Sequence, residues 1–174
     1  MTYAVVYASK TGNTELLARH ICETLGEEGC AYAGDPKAAP AEALAADVVF
    51  VGTWTDKGGA AEEARAFLEA LRDKRVFLFG TCGFGASEAY FGQVLARIGA
   101  SLHESCELVG TFMCQGKMPA AVRARYEAML AAAEPGSTEA ARAQLFLDNY
   151  DQALAHPNAD DLAALEKALG EVDA

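Results

Sequence analysis

Residues 9–14 read SKTGNT: three hydroxyls, one amide, one glycine and one lysine in six positions. They stand between an apolar run, YAVVYA (residues 3–8), and an amphipathic pattern that begins near Glu15 with Leu16, Leu17, His20, Ile21 and Leu25 on one face. A loop that leaves a buried strand and opens a helix presents unpaired backbone N–H groups and the positive end of the helix dipole, which together favour an anion. Ser9, Thr11 and Thr14 add hydroxyl donors and Asn13 an amide donor, with Lys10 among them. Gly12 lets the backbone approach a ligand or take a positive φ. Residues of these types could wrap a phosphate; the plainer alternative is a helix N-cap, which needs only one of them. The loop matches neither the P-loop pattern GxxxxGK(S/T) nor the dinucleotide fingerprint GxGxxG.

The elements that must position this loop are legible from hydropathy. YAVVYA (3–8), DVVFVGTW (47–54), RVFLFGT (75–81) and LVGTFMC (108–114) are β-branched or aromatic and do not alternate with polar residues, as strands buried on both faces do not. CAYAG (30–34) is a weaker fifth strand. Helical spacing separates them: Ala64, Phe67, Leu68 and Leu71; then Phe91, Val94, Leu95 and Ile98; then Val122, Tyr126, Met129 and Leu130. Alternating strands and helices predict right-handed crossovers and a doubly wound parallel α/β sheet. From Pro135 the composition changes. PGSTE stops one helix and caps the next, whose stripe is Ala143, Phe146, Leu147, Tyr150 and Leu154; HPNADD (156–161) breaks it, and Leu162, Leu165 and Leu169 mark a last helix. The expected organisation is a sheet domain over residues 1–134 and a helical extension over 135–174 packed on it.

The chain has 174 residues, 52% of them hydrophobic and 22% charged, enough for one α/β domain with a full core. A formal charge of −11 argues against a nucleic-acid partner and for a basic protein partner. Five cysteines, Cys22, Cys30, Cys82, Cys106 and Cys114, form no CxxC or CxxH pair and read as free cytosolic thiols, small buried hydrophobes rather than a metal or disulfide set. No apolar run approaches the roughly 18 residues of a membrane span, and MTYAVVYASKTG lacks the features of a signal peptide, so a cytoplasmic protein is expected. His20, His103 and His156 have no nucleophile or metal partner nearby in sequence and read as surface or satisfied core residues.

SKTGNT resembles the phosphate loop of the flavodoxins, Ser/Thr-x-Thr-Gly-x-Thr, at every fixed position. The resemblance implies a five-stranded parallel sheet of order 2-1-3-4-5 with FMN bound across the carboxyl ends of its first and third strands, where the winding reverses. In that family the loop, here Ser9, Lys10, Thr11, Gly12, Asn13 and Thr14, holds the terminal phosphate. The third strand ends in Thr53-Trp54, a pair that flavodoxins also carry; Trp54, the only tryptophan, either stacks on the flavin or caps the core. Thr55, Asp56, Lys57, Gly58 and Gly59 would continue the flavin loop. Flavodoxins commonly have glycine where Thr55 stands, letting a peptide flip so that its carbonyl accepts the N5 proton of one-electron-reduced flavin.

The fourth strand ends Thr81-Cys82-Gly83, matching the Cys-Gly start of the family loop that hydrogen-bonds the pyrimidine edge. Phe84 and Gly85 replace the usual acidic and serine run, so the outer stacking residue is Phe84 or Tyr90, with Phe91 assigned to the core. The resemblance spans residues 3–133 and is of the short-chain kind, since MCQGKMP (113–119) passes directly towards a helix. GKMPAAVRARYEAML and the added helices are similar to flavodoxins that accompany anaerobic reductases, including the bilirubin reductases. What this implies is an FMN-binding carrier of low-potential electrons to a partner reductase. The alternative is an FMN-dependent reductase, quinone-type or a reductase subunit, acting directly on a small substrate. A phosphate-binding regulatory module is disfavoured, because the strand ends lack the acidic cluster of a phospho-receiver.

Overall fold

Apolar strands that do not alternate need cover on both faces, and the computed structural model, which describes residues 1–85 and 87–172, shows how it is supplied. In chain order the elements are β1 (Tyr3–Tyr7), α1 (Asn13–Leu25), β2 (Cys30–Gly34), α2 (Ala41–Ala45), β3 (Val48–Asp56), β4 (Gly59–Ala60), α3 (Glu62–Ala70), β5 (Arg75–Cys82), α4 (Glu88–Gly99), β6 (Glu107–Gln115), α5 (Ala120–Ala132), α6 (Thr138–Ala153) and α7 (Ala159–Leu169). The parallel strands run β2-β1-β3-β5-β6, which is the expected order when they are counted among themselves. A sixth strand was not expected: β4 pairs antiparallel with the end of β3, Thr55 opposite Ala60 and Asp56 opposite Gly59. It forms because Lys57 and Gly58 both take positive φ, 49° and 82°, the pattern of a two-residue primed turn.

Successive strand residues point to opposite faces. Ala4, Val6, Val49, Val51, Val76 and Leu78 form one core with Leu68 of α3 and Val94 and Ile98 of α4. Tyr3, Val5, Phe50, Phe77 and Phe79 form the other with Leu17, Ala18 and Ile21 of α1 and Leu165 and Leu169 of α7. Leu16, expected on the inward face of α1, is exposed, because the neighbouring Leu17 takes the position against the sheet.

The helices after β6 divide. α5 and α6 pack on each other around Tyr126, Leu147 and Tyr150, with Met118, Val122, Leu130 and Phe146 against them, in a cluster separate from the sheet cores. α6 is capped by Ser137 and α7 by a capping box of Asn158 and Asp161. Of the expected stripes, Ala143, Leu147 and Tyr150 are buried, while Met129 and Leu154 are exposed because they lie outside the α5–α6 contact. α7 then returns to cover the sheet beside α1.

Candidate functional site

β1 delivers residues 9–12 to the N-terminus of α1. Gly12 sits at φ 85°, a conformation that an L side chain resists, and opens the helix there. Among the described residues, no protein acceptor takes the backbone N–H of Ser9, Lys10, Thr11, Gly12, Asn13 or Thr14. Six donors therefore surround the positive end of the α1 dipole. The side chains are more committed than their types suggest. Ser9 Oγ accepts the Glu15 N–H at 3.2 Å, and Thr14, fully buried, lies 3.1 Å from Thr81 Oγ1, tying the loop to the end of β5. Asn13 Nδ2 donates to Thr11 Oγ1 and to Lys117 O, each at 2.9 Å. Asn13 thus braces the loop against the segment after β6, and the Thr11 hydroxyl proton stays free to donate.

The loop forms one side of a cavity of about 390 Å³. Of the residues expected at a cofactor, Lys10, Thr11, Asn13, Trp54, Thr55, Lys57, Gly58, Thr81, Cys82, Gly83, Phe84 and Tyr90 line it. Ser9, Gly12, Thr14, Thr53, Asp56 and Gly85 are not among its lining residues. Thr53 Oγ1 donates to Trp54 O at 2.8 Å and accepts the Ala61 N–H at 2.9 Å, holding the strand end to the start of α3. Trp54 does both things its sequence position allowed: it packs on Ala60, Ala61 and Ala64 and also faces the cavity, with Lys10 Nζ 5.0 Å from its ring centroid. Thr55 lies in the strand, its Oγ1 donating to Thr81 O at 3.0 Å, so the positive-φ turn falls at Lys57 and Gly58.

The segment after β5 is held from several directions. Cys82 Sγ donates to Phe84 O at 2.9 Å, and a Cβ at Gly83 would run into Met118. Asn149 of α6 accepts the Gly85 N–H at 3.0 Å and donates to Gly83 O at 2.9 Å. Phe84 and Tyr90 both reach the cavity and meet edge to face, with centroids 6.3 Å apart. Burial, and next the neighbouring Cys82, push the Tyr90 hydroxyl above its ordinary pKa, so it remains a proton donor at neutral pH.

Sequence reasoning missed the fourth side. Gly116, Lys117, Met118, Pro119, Val122, Arg125 and Tyr126 complete the lining. The available signal was topological: QGKMP leaves the last parallel strand at the same sheet edge as the other two loops, yet a helix following such a strand reads as sheet cover. The charges of the lining are Lys10, Lys57, Lys117 and Arg125, with no carboxylate or imidazole among its described residues. The three histidines lie elsewhere, His20 against Glu166 at 2.8 Å, His103 against Ser105 and His156 against Asp161 at 2.6 Å. Among the described residues no group of three or more His, Cys, Asp or Glu could hold a metal, and no helix is long and apolar enough to cross a membrane. Unpaired N–H groups at a helix N-terminus suit a dianion, and Trp54, Phe84 and Tyr90 bring aromatic side chains to the same cavity.

The family model of the flavodoxin domain matches residues 4–170, across the sheet and all three helices after β6. A flavodoxin-like domain-containing protein, BilS, of Clostridium symbiosum strain WAL-14163 is 40% identical over 183 residues, covering 97% of this chain and 94% of its own length. Its counterpart of the same name in Clostridioides difficile strain CD3 is 29% identical over 174 residues, covering 93% and 90%. Among solved structures, a short-chain flavodoxin associated with a non-canonical PDU bacterial microcompartment shares the fold, with a TM-score of 0.51 at 19% identity over 87% of this chain and 97% of that one. FMN is the cofactor of flavodoxins. The strand order, the loop at the head of α1 and a match over nearly the whole length agree: the chain belongs to the flavodoxin domain family.

Proposed function

We propose that this chain binds FMN, with the phosphate in the loop of residues 9–14 and the ring between Trp54 and the side formed by Phe84 and Tyr90, and that it carries electrons in the cytoplasm to a partner reductase. The observation that carries the cofactor reading is the set of six acceptor-free backbone N–H groups at the head of α1, opened by Gly12, in a loop whose Lys10, Thr11 and Asn13 line the same cavity as Trp54. Bound FMN supplies the one- and two-electron chemistry. The chain's own residues hold the phosphate, stack on the ring and offer the backbone N–H groups of Gly83 and Phe84 to its edge. The sequence likeness to flavodoxins that accompany anaerobic reductases supports a reductase as the partner.

The test is anaerobic mixing of the photoreduced, FMN-loaded protein with the reductase encoded beside it and that reductase's substrate. Substrate reduction that needs both proteins is expected. Steady turnover of NAD(P)H and a quinone by this protein alone would replace the carrier reading with that of a flavin enzyme.

A further inference from the structure

The chain holds fourteen lysines and arginines. Arg19, Lys37, Arg65, Arg75 and Arg123 pair with carboxylates, and Arg72 and Arg97 are bound to backbone carbonyls. Of the seven others, Lys74 and Lys167 lie elsewhere, while Lys10, Lys57, Lys117, Arg125 and Arg142 all line the cavity or the groove that adjoins it. In a chain of net charge −11, five of the seven cations with no such partner among the described residues are gathered at one mouth.

That groove is open, about 390 Å³, and lies between α5, α6 and Phe84. It shares Phe84, Arg125 and Tyr126 with the cavity, and Met129, Arg142 and Phe146 complete it. Phe146 meets Phe84 edge to face at 5.5 Å and Tyr126 at 5.1 Å. Arg125 and Arg142 hold their guanidinium carbons over Tyr126 and Phe146, each 5.3 Å from the ring centroid. Phe84 and Met129 stand 37% and 39% exposed. The nearby acids Glu127 and Asp151 are taken up by Arg123, outside the groove. All six lining residues are of the kinds enriched where proteins dock, namely aromatics, methionine and arginine.

We propose that this groove is the docking face for the redox partner, and that the partner presents there an apolar side chain within an acidic rim. The occupant is set by charge complementarity: two arginines with no carboxylate among the groove's described residues, continuous with a cavity holding three further lysines. This is the opposite of the basic partner that the net charge alone suggests. Local charges within about a Debye length, ~10 Å at 0.1 M salt, govern the close encounter, while the distant acids are screened. The proposal rests on the reading of the cavity as the flavin site, because the shared walls would bring the partner to the ring edge.

The test uses the reduced FMN-loaded protein and a haem protein with a carboxylate-rimmed haem edge, mixed rapidly over a range of salt. The rate should fall as salt rises. Arg142→Glu, exposed and outside the cavity, should slow it about tenfold at about 0.1 M salt, the lowest of the range. Lys167→Glu, which changes the net charge equally from α7, should leave it within about twofold, and reduction of a small neutral quinone should be the same in all three proteins. The same contrast between the two variants is expected when the flavin-free protein is sedimented with the haem protein, so a failure to load FMN would be told apart from a failure to dock. A rate that rises with salt, or equal effects of the two variants, would overturn the proposal. So would competition by 1-naphthoate below about millimolar, which would give the groove to a small ligand.

Discussion

Asn149 and Gly83 are 66 residues apart and are joined by a 2.9 Å hydrogen bond from Asn149 Nδ2 to the Gly83 carbonyl. The same amide accepts the Gly85 N–H at 3.0 Å and a contact from Gln115 Nε2 at 3.2 Å. A helix added after the last parallel strand thus holds the loop that lines the cavity at Gly83 and Phe84. Asn149→Leu leaves these groups unpaired, each at a cost of about 1–3 kcal/mol. FMN affinity should fall at least about tenfold by fluorescence titration, while Asn149→Asp, which keeps the acceptor, should lose less. Equal affinities in all three proteins would detach α6 from the site.

The turn after Trp54 makes a second test. With the left-handed residues at Lys57 and Gly58, Gly58→Ala meets both the strained φ and Arg97 Nη1, 2.5 Å from the added Cβ, and should cost about 1–2 kcal/mol in urea denaturation. Thr55→Gly removes the bond to Thr81 O and should also destabilise, by about 1–2 kcal/mol. Lys57→Gly should be neutral or stabilising. A stabilising Thr55→Gly with a neutral Gly58→Ala would move the turn back to residue 55.

α7 is the cover of one sheet face. Leu165 is fully buried in the core between α1, α7 and the sheet, so Leu165→Ala should cost about 2–5 kcal/mol. Leu154, 47% exposed at the end of α6, should tolerate alanine within about 0.5 kcal/mol. Thermal unfolding of the two variants checks the contrast, and equal losses would contradict the packing.

Burial, with Asp161 adding to it, raises the Cys114 thiol far above its ordinary value, and burial together with Cys30 raises Cys22 to about 11. A raised folded value means that the folded chain keeps protons which the unfolded chain releases. Their stabilisation is present in full below the unfolded thiol pKa, about 8.5, and is lost as pH rises towards the folded values, by at most about 1.4 kcal/mol per pH unit for each thiol. Urea midpoints should therefore fall between pH 8 and 9.5. The double variant Cys22→Ala/Cys114→Ala should show a flatter pH dependence; an unchanged slope would assign the loss to other groups.

The parallel order was legible because β1, β3, β5 and β6 each carry an uninterrupted β-branched or aromatic stretch, the pattern of strands covered twice. The place of SKTGNT at the head of α1 was legible because it follows an apolar run directly and carries Gly12, which takes the positive φ there. What escaped depended on distant partners. Asn13 reads as a phosphate donor until Lys117 O, 104 residues away, takes its amide. Lys57 gives no local sign of positive φ, which it adopts because Gly58 completes the primed turn. Arg125 and Tyr126 read as the face of a sheet-covering helix, yet α5 packs on α6 at the cavity, and α7 covers the sheet instead.

The most direct measurement compares FMN and riboflavin binding to the wild-type protein and to Thr11→Ala/Thr14→Ala. The Thr11 hydroxyl is free to donate to a dianion, a charged hydrogen bond worth about 1.5–3 kcal/mol, and Thr14 anchors the loop to Thr81. Wild-type protein should bind FMN far more tightly than riboflavin, and the double variant should lose at least about tenfold in FMN affinity with riboflavin little changed. Equal affinity for the two flavins in the wild type, or equal losses for both in the variant, would contradict a phosphate site at the head of α1.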